Sequence, residues 1–268
     1  MVQLLNVSME GGAIRPQRSF LPPGGIDLWF MILPLNIPIA ELMRCLSPIE
    51  VRRAGTFAGR DLQCSYCAAH AALRLILASY ADIAPAAITF VQGPFGKPGV
   101  ALPELRFNMS HSGGAVLVGV AHRPLGVDVE DVRRTASLEA VADLFLERGE
   151  RAAIAQQPVA RRQAELLRRW TGKEACAKAL GLGLQFDLRC LAPWRGGYAC
   201  DGHGSFVVCS LRPASGFIAA IAVRGSEPEE LALTTLRQAR LHHDHGLGLA
   251  ADPPVPLASS IFALDGRG

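Results

Sequence analysis

The chain has 268 residues and a formal net charge of +3, and half of its residues are hydrophobic. This length allows one large domain or two small ones with a proper core, and the composition is typical of a soluble globular protein. The weak positive charge does not support nucleic-acid binding, which usually needs a concentrated basic face, but it suits a protein that handles an anionic ligand or an acidic partner.

The N-terminal region predicts neither a secretory leader nor a membrane span, because it lacks a cationic segment followed by an apolar run and a small-residue cleavage site. The run IDLWFMILPLNIPIA is too short, and too interrupted by Pro34 and Pro38, to cross a bilayer. It indicates a buried strand over 26–33 followed by a turn. Residues 1–25 contain Gly and Pro without periodicity and are interpreted as a loose N-terminal extension.

Seven cysteines are scattered along the chain: Cys45, Cys64, Cys67, Cys176, Cys190, Cys200 and Cys209. The odd count and irregular spacing indicate reduced thiols in a cytoplasmic protein. The segment CSYCAAH, with Cys64, Cys67 and His70, looks like part of a zinc site, but no second Cys/His pair follows at finger spacing. Because the segment has helical periodicity, we interpret these residues as helix-packing residues.

The elements of the first half follow from local signals. Ser47, Pro48 and Glu50 predict a capped helix start, and the apolar spacing over 61–81 predicts a long buried helix. A strand and a Gly/Pro loop follow over 85–100. The segments LRFNMSHSGGAVLVGVAH and PLGVDVED then predict short strands joined by a His-Arg-Pro turn.

The second half repeats the order of a helix followed by strands. Helices are predicted over 137–155 and from Val159 to a C-cap at Gly181, and strands near Tyr198, over 205–212 and over 216–225. Beyond residue 225 the chain turns acidic and ends with a His cluster, HHDH, and a Pro-rich stretch. Residues 226–268 are therefore interpreted as a peripheral or disordered tail.

The repeated order predicts an α+β protein with two similar subdomains, 26–125 and 126–225, in a pseudo-two-fold arrangement with the active site in the cleft between them. The halves show no obvious sequence identity, so the repeat is architectural. Because one chain supplies both halves, we expect a monomer that resembles a dimer.

A group of carboxylates is the first candidate for a functional site. In GVDVED, strand alternation places Asp128 and Glu130 on one face and Asp131 on the other. Glu174, on the helix of WTGKEACAKALGLGL, supplies a third carboxylate. Three carboxylates suit Mg²⁺, with Mn²⁺ as an alternative, and neighbouring lysines suit a pyrophosphate. Taken singly, such residues are more often a solvated strand edge or a surface salt bridge.

Four segments occur together in order: FGKP, FNMSHS, GVDVE and WTGKEACAKALGLGL. This combination resembles the signatures of the 4′-phosphopantetheinyl transferases, specifically the surfactin-type, two-subdomain class, and the similarity runs from about residue 26 to residue 224. The resemblance implies an enzyme that moves the phosphopantetheine arm of coenzyme A onto a serine of an acyl or peptidyl carrier protein. It also implies the release of adenosine 3′,5′-bisphosphate.

The resemblance also implies roles for single residues. The metal ligands would be Asp128, Glu130 and Glu174. The residues that contact coenzyme A would be Arg53 and His111 at the 3′-phosphate, Ser110 at the phosphates, Gly96, Lys97 and Pro98 beside the adenine, and Lys173 and Lys178 at the pyrophosphate. The base that activates the serine would be Glu174, acting through a bound water, or Glu150.

Two departures from the family pattern bear on these roles. The spacing to Glu150 in FLERGE is one residue longer than usual, and His70 replaces an arginine. Polyketide, fatty-acid and nonribosomal-peptide carriers remain open as acceptors. A non-catalytic coenzyme A-binding relic and a Mg²⁺-dependent phosphohydrolase remain as alternatives, although the complete set of Asp128, Glu130, Glu174 and Lys178 argues against a relic.

Overall fold

Two β-sheets pack face to face, and a 22-residue helix covers the outer face of each. The structure is a computed structural model. It describes residues 3–5, 8–10, 13–15, 19–34, 36–134, 138–225, 227, 231, 234–242 and 247–257.

The first half contains three α-helices and eight strands within the described residues. The helices are α1 (Ile39–Met43), α2 (Pro48–Ala54) and α3 (Arg60–Ala81). The strands are β1 (Gln3–Leu5), β2 (Ser8–Glu10), β3 (Ala13–Arg15), β4 (Ile26–Ile32), β5 (Phe90–Gln92), β6 (Pro98–Val100), β7 (Arg106–Ser112) and β8 (Ala115–Ala121).

The second half adds two α-helices and eight strands to the described part of the chain. The helices are α4 (Arg148–Ala155) and α5 (Val159–Leu180). The strands are β9 (Leu125–Asp131), β10 (Ala192–Trp194), β11 (Gly197–Cys200), β12 (Gly204–Leu211), β13 (Phe217–Arg224), β14 (Thr234–His242), β15 (Gly248–Ala251) and β16 (Val255–Pro256).

The first sheet has the order β1-β15-β14-β4-β8-β7, with β16 also paired to β14. The second has the order β10-β11-β12-β13-β9, and all of its pairs are antiparallel. Between the sheets, Leu28 and Leu117 of the first share a core with Val127 and Ile221 of the second. Strands β7 and β9 are therefore edge strands of different sheets.

The expectation of a peripheral tail after residue 225 is wrong for the residues that the structure describes there. Strand β14 pairs in parallel with β4, the first strand of the predicted core. Thr235 Oγ1 donates to Asp27 Oδ1 at 2.5 Å, and Leu236 and Leu241 are buried. The acidic and Pro-rich flanks hid the alternation of a half-buried strand. Of the HHDH cluster, His242 ends β14, and residues 243–245 lie outside the described residues.

The N-terminal extension is also partly ordered into the sheet, since β1 pairs antiparallel with β15. The interpretation of residues 1–25 as a loose extension is therefore wrong for residues 3–5.

Local signals explain the helix boundaries. The predicted capping box at the start of α2 is present: Glu50 N donates to Ser47 Oγ at 3.4 Å and Ser47 N donates to Glu50 Oε2 at 2.8 Å. Helix α5 begins at Val159 and is capped by Gly181, whose φ of 77° is the left-handed conformation that favours glycine. The single helix predicted over 137–155 is wrong, because the α-helix begins only after a second capping box at Glu147 and Glu150.

The α+β class is confirmed by this mixture of helices and sheets. The pseudo-two-fold relation between the halves stays a prediction. Among the helices that the structure describes, none combines the length and the apolar character needed to cross a membrane.

Candidate active site

Side chains of FNMSHS join the edges of the two sheets. Asn108 Oδ1 accepts a hydrogen bond from Val127 N at 2.8 Å, and Ser110 Oγ donates to Asp128 Oδ1 at 2.8 Å. Ser112 Oγ donates to a carboxylate oxygen of Glu130 at 2.7 Å. Because strand side chains alternate, these three polar residues share one side of β7 and fix its register against β9.

The α5 helix lies on β9 because Gly126 has no side chain. A Cβ at Gly126 would be 1.9 Å from Ala175 O, so any other residue would push the helix away. Trp170, Glu174 and Lys178 are spaced four residues apart and share one helix face. Trp170 contacts Glu130 and Lys178 contacts Asp128, so Glu174 lies between these two contacts along the helix.

Asp128 is the most heavily engaged of the carboxylates and is only 3% exposed. Its Oδ1 accepts from Lys178 Nζ at 2.5 Å as well as from Ser110. Its Oδ2 is buried and has no hydrogen-bond partner in the described part of the chain. Burial raises the pKa of Asp128, the Lys178 charge opposes that rise, and the Glu130 charge adds to it. A buried oxygen without a donor is a natural ligand for a cation.

Glu130 and Glu174 complete the acidic group. The two oxygens of Glu130 accept from Ser112 Oγ and, at 3.3 Å, from Trp170 Nε1. Burial raises the pKa of Glu174, the charges of Asp128 and Glu130 raise it further, and Lys178 opposes them. The raised pKa values of Asp128 and Glu174 therefore come first from burial, and the charges of the neighbouring carboxylates add to a rise that Lys178 opposes.

The donor atoms of these carboxylates suit a metal ion, but the side chains are not arranged around one. Within the described residues, no group of three His, Cys, Asp or Glu side chains is arranged to hold a metal ion. The assignment of Asp128, Glu130 and Glu174 as metal ligands stays a prediction. The donors nevertheless suit Mg²⁺, because all are carboxylate oxygens and Asp128 Oδ2 has no partner among the described residues.

The structure contradicts the expected roles of Lys173 and Glu150. Lys173 is 0% exposed, and its Nζ donates to Phe145 O at 2.8 Å, Glu150 Oε2 at 2.5 Å and Leu188 O at 3.3 Å. An ammonium has three donors, so none is left for a phosphate.

Glu150 is the other half of this buried pair. Its second oxygen accepts from Arg169 Nη1 at 2.9 Å, and its carboxylate is shielded from solvent. Glu150 is therefore a structural partner of Lys173 rather than a base. Adjacent helical residues point about 100° apart, so Lys173 enters the core beneath α5 while Glu174 faces β9.

The Gly-Lys-Pro loop contacts the same helix. Lys97 Nζ donates to Leu125 O at 3.0 Å, Lys178 O at 2.5 Å and Ala179 O at 3.4 Å. Burial lowers the pKa of Lys97 to about 8. The loop and the end of α5 line an open, largely apolar cleft of about 840 Å³, to which Lys97 and Pro98 belong. Gly96 has a φ of 81°, which lets the loop turn there. A role of Gly96, Lys97 and Pro98 beside an adenine stays a prediction.

His111 and Arg53 lie apart from the carboxylate group. His111 is exposed and alternates with Ser110, so it points to the opposite side of β7. Arg53 is exposed in the last turn of α2, with its guanidinium 5.5 Å from the centre of the Phe57 ring. Their predicted contacts with a 3′-phosphate stay predictions.

The CSYCAAH segment lies on α3 and is engaged in packing. Cys64 and Cys67 belong to the core beneath that helix. His70 Nδ1 is 2.9 Å from Glu50 Oε1, and Arg74 Nε donates to Glu50 Oε2 at 2.7 Å. His70 therefore helps to hold α2 on α3.

Sequence reasoning missed the parts played by Asn108, Gly126 and Phe95. The alternation of Asn108 with two serines in FNMSHS is a signal for a polar strand edge. The glycine of GVDVE marks the close approach of a helix. Phe95 lines the cleft beside the end of α5. It is an exposed aromatic residue with a φ of 58°, a strained conformation for a bulky side chain, and no local signal predicts it.

Comparisons with known proteins point to one family. A family model described as the 4′-phosphopantetheinyl transferase superfamily matches residues 124–205, which include β9 and α5. The chain is 33% identical over 178 residues to the 4′-phosphopantetheinyl transferase HetI of Nostoc sp., which covers 63% of this chain and 74% of that protein.

Two further relatives match over shorter stretches. The 4′-phosphopantetheinyl transferase psf-1 of Bacillus pumilus is 35% identical over 94 residues, covering 35% of this chain and 40% of that protein. The 4′-phosphopantetheinyl transferase Sfp of Bacillus subtilis is 31% identical over 102 residues, covering 38% and 45%. The chain belongs to the 4′-phosphopantetheinyl transferase superfamily.

Proposed function

We propose that this protein is a 4′-phosphopantetheinyl transferase of the surfactin-type class. It moves the phosphopantetheine arm of coenzyme A onto a serine of an apo acyl or peptidyl carrier protein. The observation that carries the proposal is the contact of Ser110, Asp128 and Lys178, which joins both halves of the chain. The second oxygen of this Asp128 carboxylate has no partner in the part of the chain that the structure describes. The resemblance and the family membership supply the reaction.

The reaction balances without a further reactant. The serine oxygen of the carrier forms a bond to the β-phosphorus of coenzyme A, and the bond from that phosphorus to the bridging oxygen breaks. Adenosine 3′,5′-bisphosphate leaves with the electron pair, and the serine proton passes to a base. The protein must therefore bind a polyanion, accept a proton and offset the charge of the leaving group.

The residues divide these tasks. Asp128, Glu130 and Glu174 would hold Mg²⁺, which supplies positive charge for the pyrophosphate when bound. Lys178 offsets charge on the leaving bisphosphate; its ammonium is already held by Asp128 Oδ1 and, at 3.1 Å, by Ser110 Oγ. Glu174 is also the candidate base that accepts the serine proton, acting through a bound water as the resemblance implies.

The location and the partners follow from the same proposal. Coenzyme A and an apo carrier are the partners, and we infer a cytoplasmic monomer, since the irregular cysteines suit a reducing compartment and one chain supplies both β7 and α5.

The test is mass spectrometry of carrier proteins. The purified protein is incubated with coenzyme A, Mg²⁺ or Mn²⁺, and apo carriers of the polyketide, fatty-acid and nonribosomal-peptide types. We expect at least one carrier to gain one phosphopantetheine group, and adenosine 3′,5′-bisphosphate to appear in equal amount. No gain on any carrier overturns the proposal, and cleavage of coenzyme A in the absence of a carrier would instead indicate a phosphohydrolase.

A further inference from the structure

Lys97 belongs to the loop that the resemblance places beside the adenine of coenzyme A, yet its ammonium is turned into the protein. We propose that Lys97 is a positioning residue, which holds the end of α5 and the start of β9 together so that Lys178 and Asp128 meet. The inference rests on the proposed transferase function. It gives Lys97 a task different from a direct contact with coenzyme A.

The three hydrogen-bond donors of the Lys97 ammonium are directed at backbone oxygens. Its acceptors are Leu125 O, Lys178 O and Ala179 O, at 3.0, 2.5 and 3.4 Å. An ammonium carries three N–H groups, so these contacts account for all of them. A phosphate could bind Lys97 only by displacing one of these oxygens.

Two of the acceptors belong to the last turn of α5, which ends at Leu180. The last four carbonyls of a helix have no intrahelical donor, and the helix dipole makes this end partly negative. Lys97 therefore supplies both the hydrogen bonds and the charge that this helix end lacks.

The third acceptor joins the helix end to the strand that carries Asp128. Leu125 is the first residue of β9, and Asp128 is three residues further along. Lys178 donates from its side chain to Asp128 and accepts from Lys97 at its backbone. One ammonium from the first half thus fixes the relative position of two elements from the second half.

The surroundings of the side chain fit this role. A Cβ at Gly181 would lie 3.1 Å from Lys97 Cδ, so the aliphatic part of Lys97 runs beside the glycine that ends α5. The sequence contains only three lysines, Lys97, Lys173 and Lys178, among 27 basic residues. A compact ammonium suits convergent carbonyls, whereas the planar guanidinium of arginine suits carboxylates and phosphates.

The first measurement needs no catalysis. Hydrogen exchange is followed by mass spectrometry on full-length wild type, Lys97→Met and the control Arg106→Met. Arg106 lines the same cleft and donates to nearby carbonyls of its own segment. In Lys97→Met we expect exchange to rise in peptides covering 176–183 and 125–131 and to stay unchanged in 60–81. Unchanged exchange at the end of α5, or an equal rise in Arg106→Met, overturns the proposal.

The second measurement separates positioning from ligand contact. We expect Lys97→Met to lower kcat by about 10- to 100-fold with little change in the KM for coenzyme A. Lys97→Arg is expected to restore little of this, because its donors do not converge on the same oxygens. A raised KM with unchanged kcat, or full recovery with arginine, indicates a direct contact with coenzyme A and overturns the proposal.

The two proposals fail in different ways. If the wild-type protein modifies none of the carriers, the transferase proposal is overturned. Hydrogen exchange still decides in that case whether Lys97 holds the end of α5. If Lys97→Met does not fold, Lys97→Gln, which retains two donors, takes its place. For that variant, exchange equal to wild type at 176–183 together with a selective rise in KM contradicts the positioning role.

Discussion

Lys178 Nζ on α5 lies 2.5 Å from Asp128 Oδ1 on β9, and Ser110 Oγ from the other sheet contacts both side chains. This contact brings together three sequence segments that are far apart in the chain. Because Asp128 Oδ2 is buried and unpartnered within the described residues, the lysine satisfies only one half of the carboxylate. The other half is the feature that a divalent cation would complete.

Asp128→Asn should reduce carrier modification by more than about 100-fold, because it removes a charge used by both Lys178 and the cation. The matched control is Asp131→Asn on the opposite face of the same strand. Asp131 accepts from Arg133 N and Arg133 Nε, both at 2.9 Å. Removing the Asp131 charge is therefore expected to lower the stability of the fold and to leave the activity within about threefold of the wild-type value. Mass spectrometry of the carrier gives the activity and thermal unfolding gives the stability. Equal loss of activity in both variants would show that Asp128 and Asp131 do not lie on opposite faces of β9.

Mg²⁺ alone should raise the melting temperature of the wild-type protein, because binding to the folded state relieves repulsion among three carboxylates. The shift should be absent in Asp128→Asn and retained in Asp131→Asn. Differential scanning fluorimetry over a range of Mg²⁺ concentrations, with EDTA-treated protein as the reference, checks this. A shift of the same size in Asp128→Asn excludes Asp128 as a ligand.

The sequence predicts those features that depend on neighbouring residues. The capping box of Ser47 and Glu50 and the C-cap at Gly181 are local hydrogen-bond and backbone signals, and both are confirmed. The pairing of β14 with β4 joins residues more than 200 positions apart, and no local pattern specifies it. The inward direction of Lys173 depends on where the core contacts α5, which is a property of tertiary packing.

Lys173→Met should destabilise the fold by about 3–5 kcal/mol, because it leaves the buried carboxylate of Glu150 with Arg169 as its remaining ionic partner. The double variant Lys173→Met, Glu150→Gln should recover part of this loss, since it removes the buried charge as well. Urea unfolding of the two variants and the wild type measures the free energies. If Lys173→Met unfolds like the wild type but has a raised KM for coenzyme A, Lys173 contacts the substrate after all.

Stability should fall as the pH drops from about 4.5 to about 2 because of Glu50. Burial raises the pKa of Glu50, but hydrogen bonds from His70 and Ser47 and the charge of Arg74 outweigh burial and lower this pKa to about 2. Between these pH values the unfolded chain binds a proton at Glu50 that the folded chain does not. The stabilisation is therefore complete above the unfolded pKa and is lost as the pH falls through the folded pKa.

The size of this effect is of the order of 3 kcal/mol at neutral pH. Urea unfolding at about pH 6 and about pH 3 should show a smaller difference for Glu50→Gln than for the wild type. Glu41→Gln, which removes an exposed carboxylate paired with Arg44, is the control and should follow the wild type. The same pH dependence in Glu50→Gln as in the wild type would assign the effect to other groups.

Strand β14 should be essential for folding, although it lies in the segment that the sequence assigns to a tail. Leu241 is buried in the core beneath the first sheet, while its neighbour Arg240 is exposed on the other side of the strand. Leu241→Asp should destabilise the protein by more than about 3 kcal/mol, because it places an unpaired charge in an apolar core. Arg240→Asp changes the charge of an exposed site and should cost less than about 1 kcal/mol. Urea unfolding of the full chain distinguishes them, and a Leu241→Asp variant as stable as Arg240→Asp would mean that this segment is peripheral.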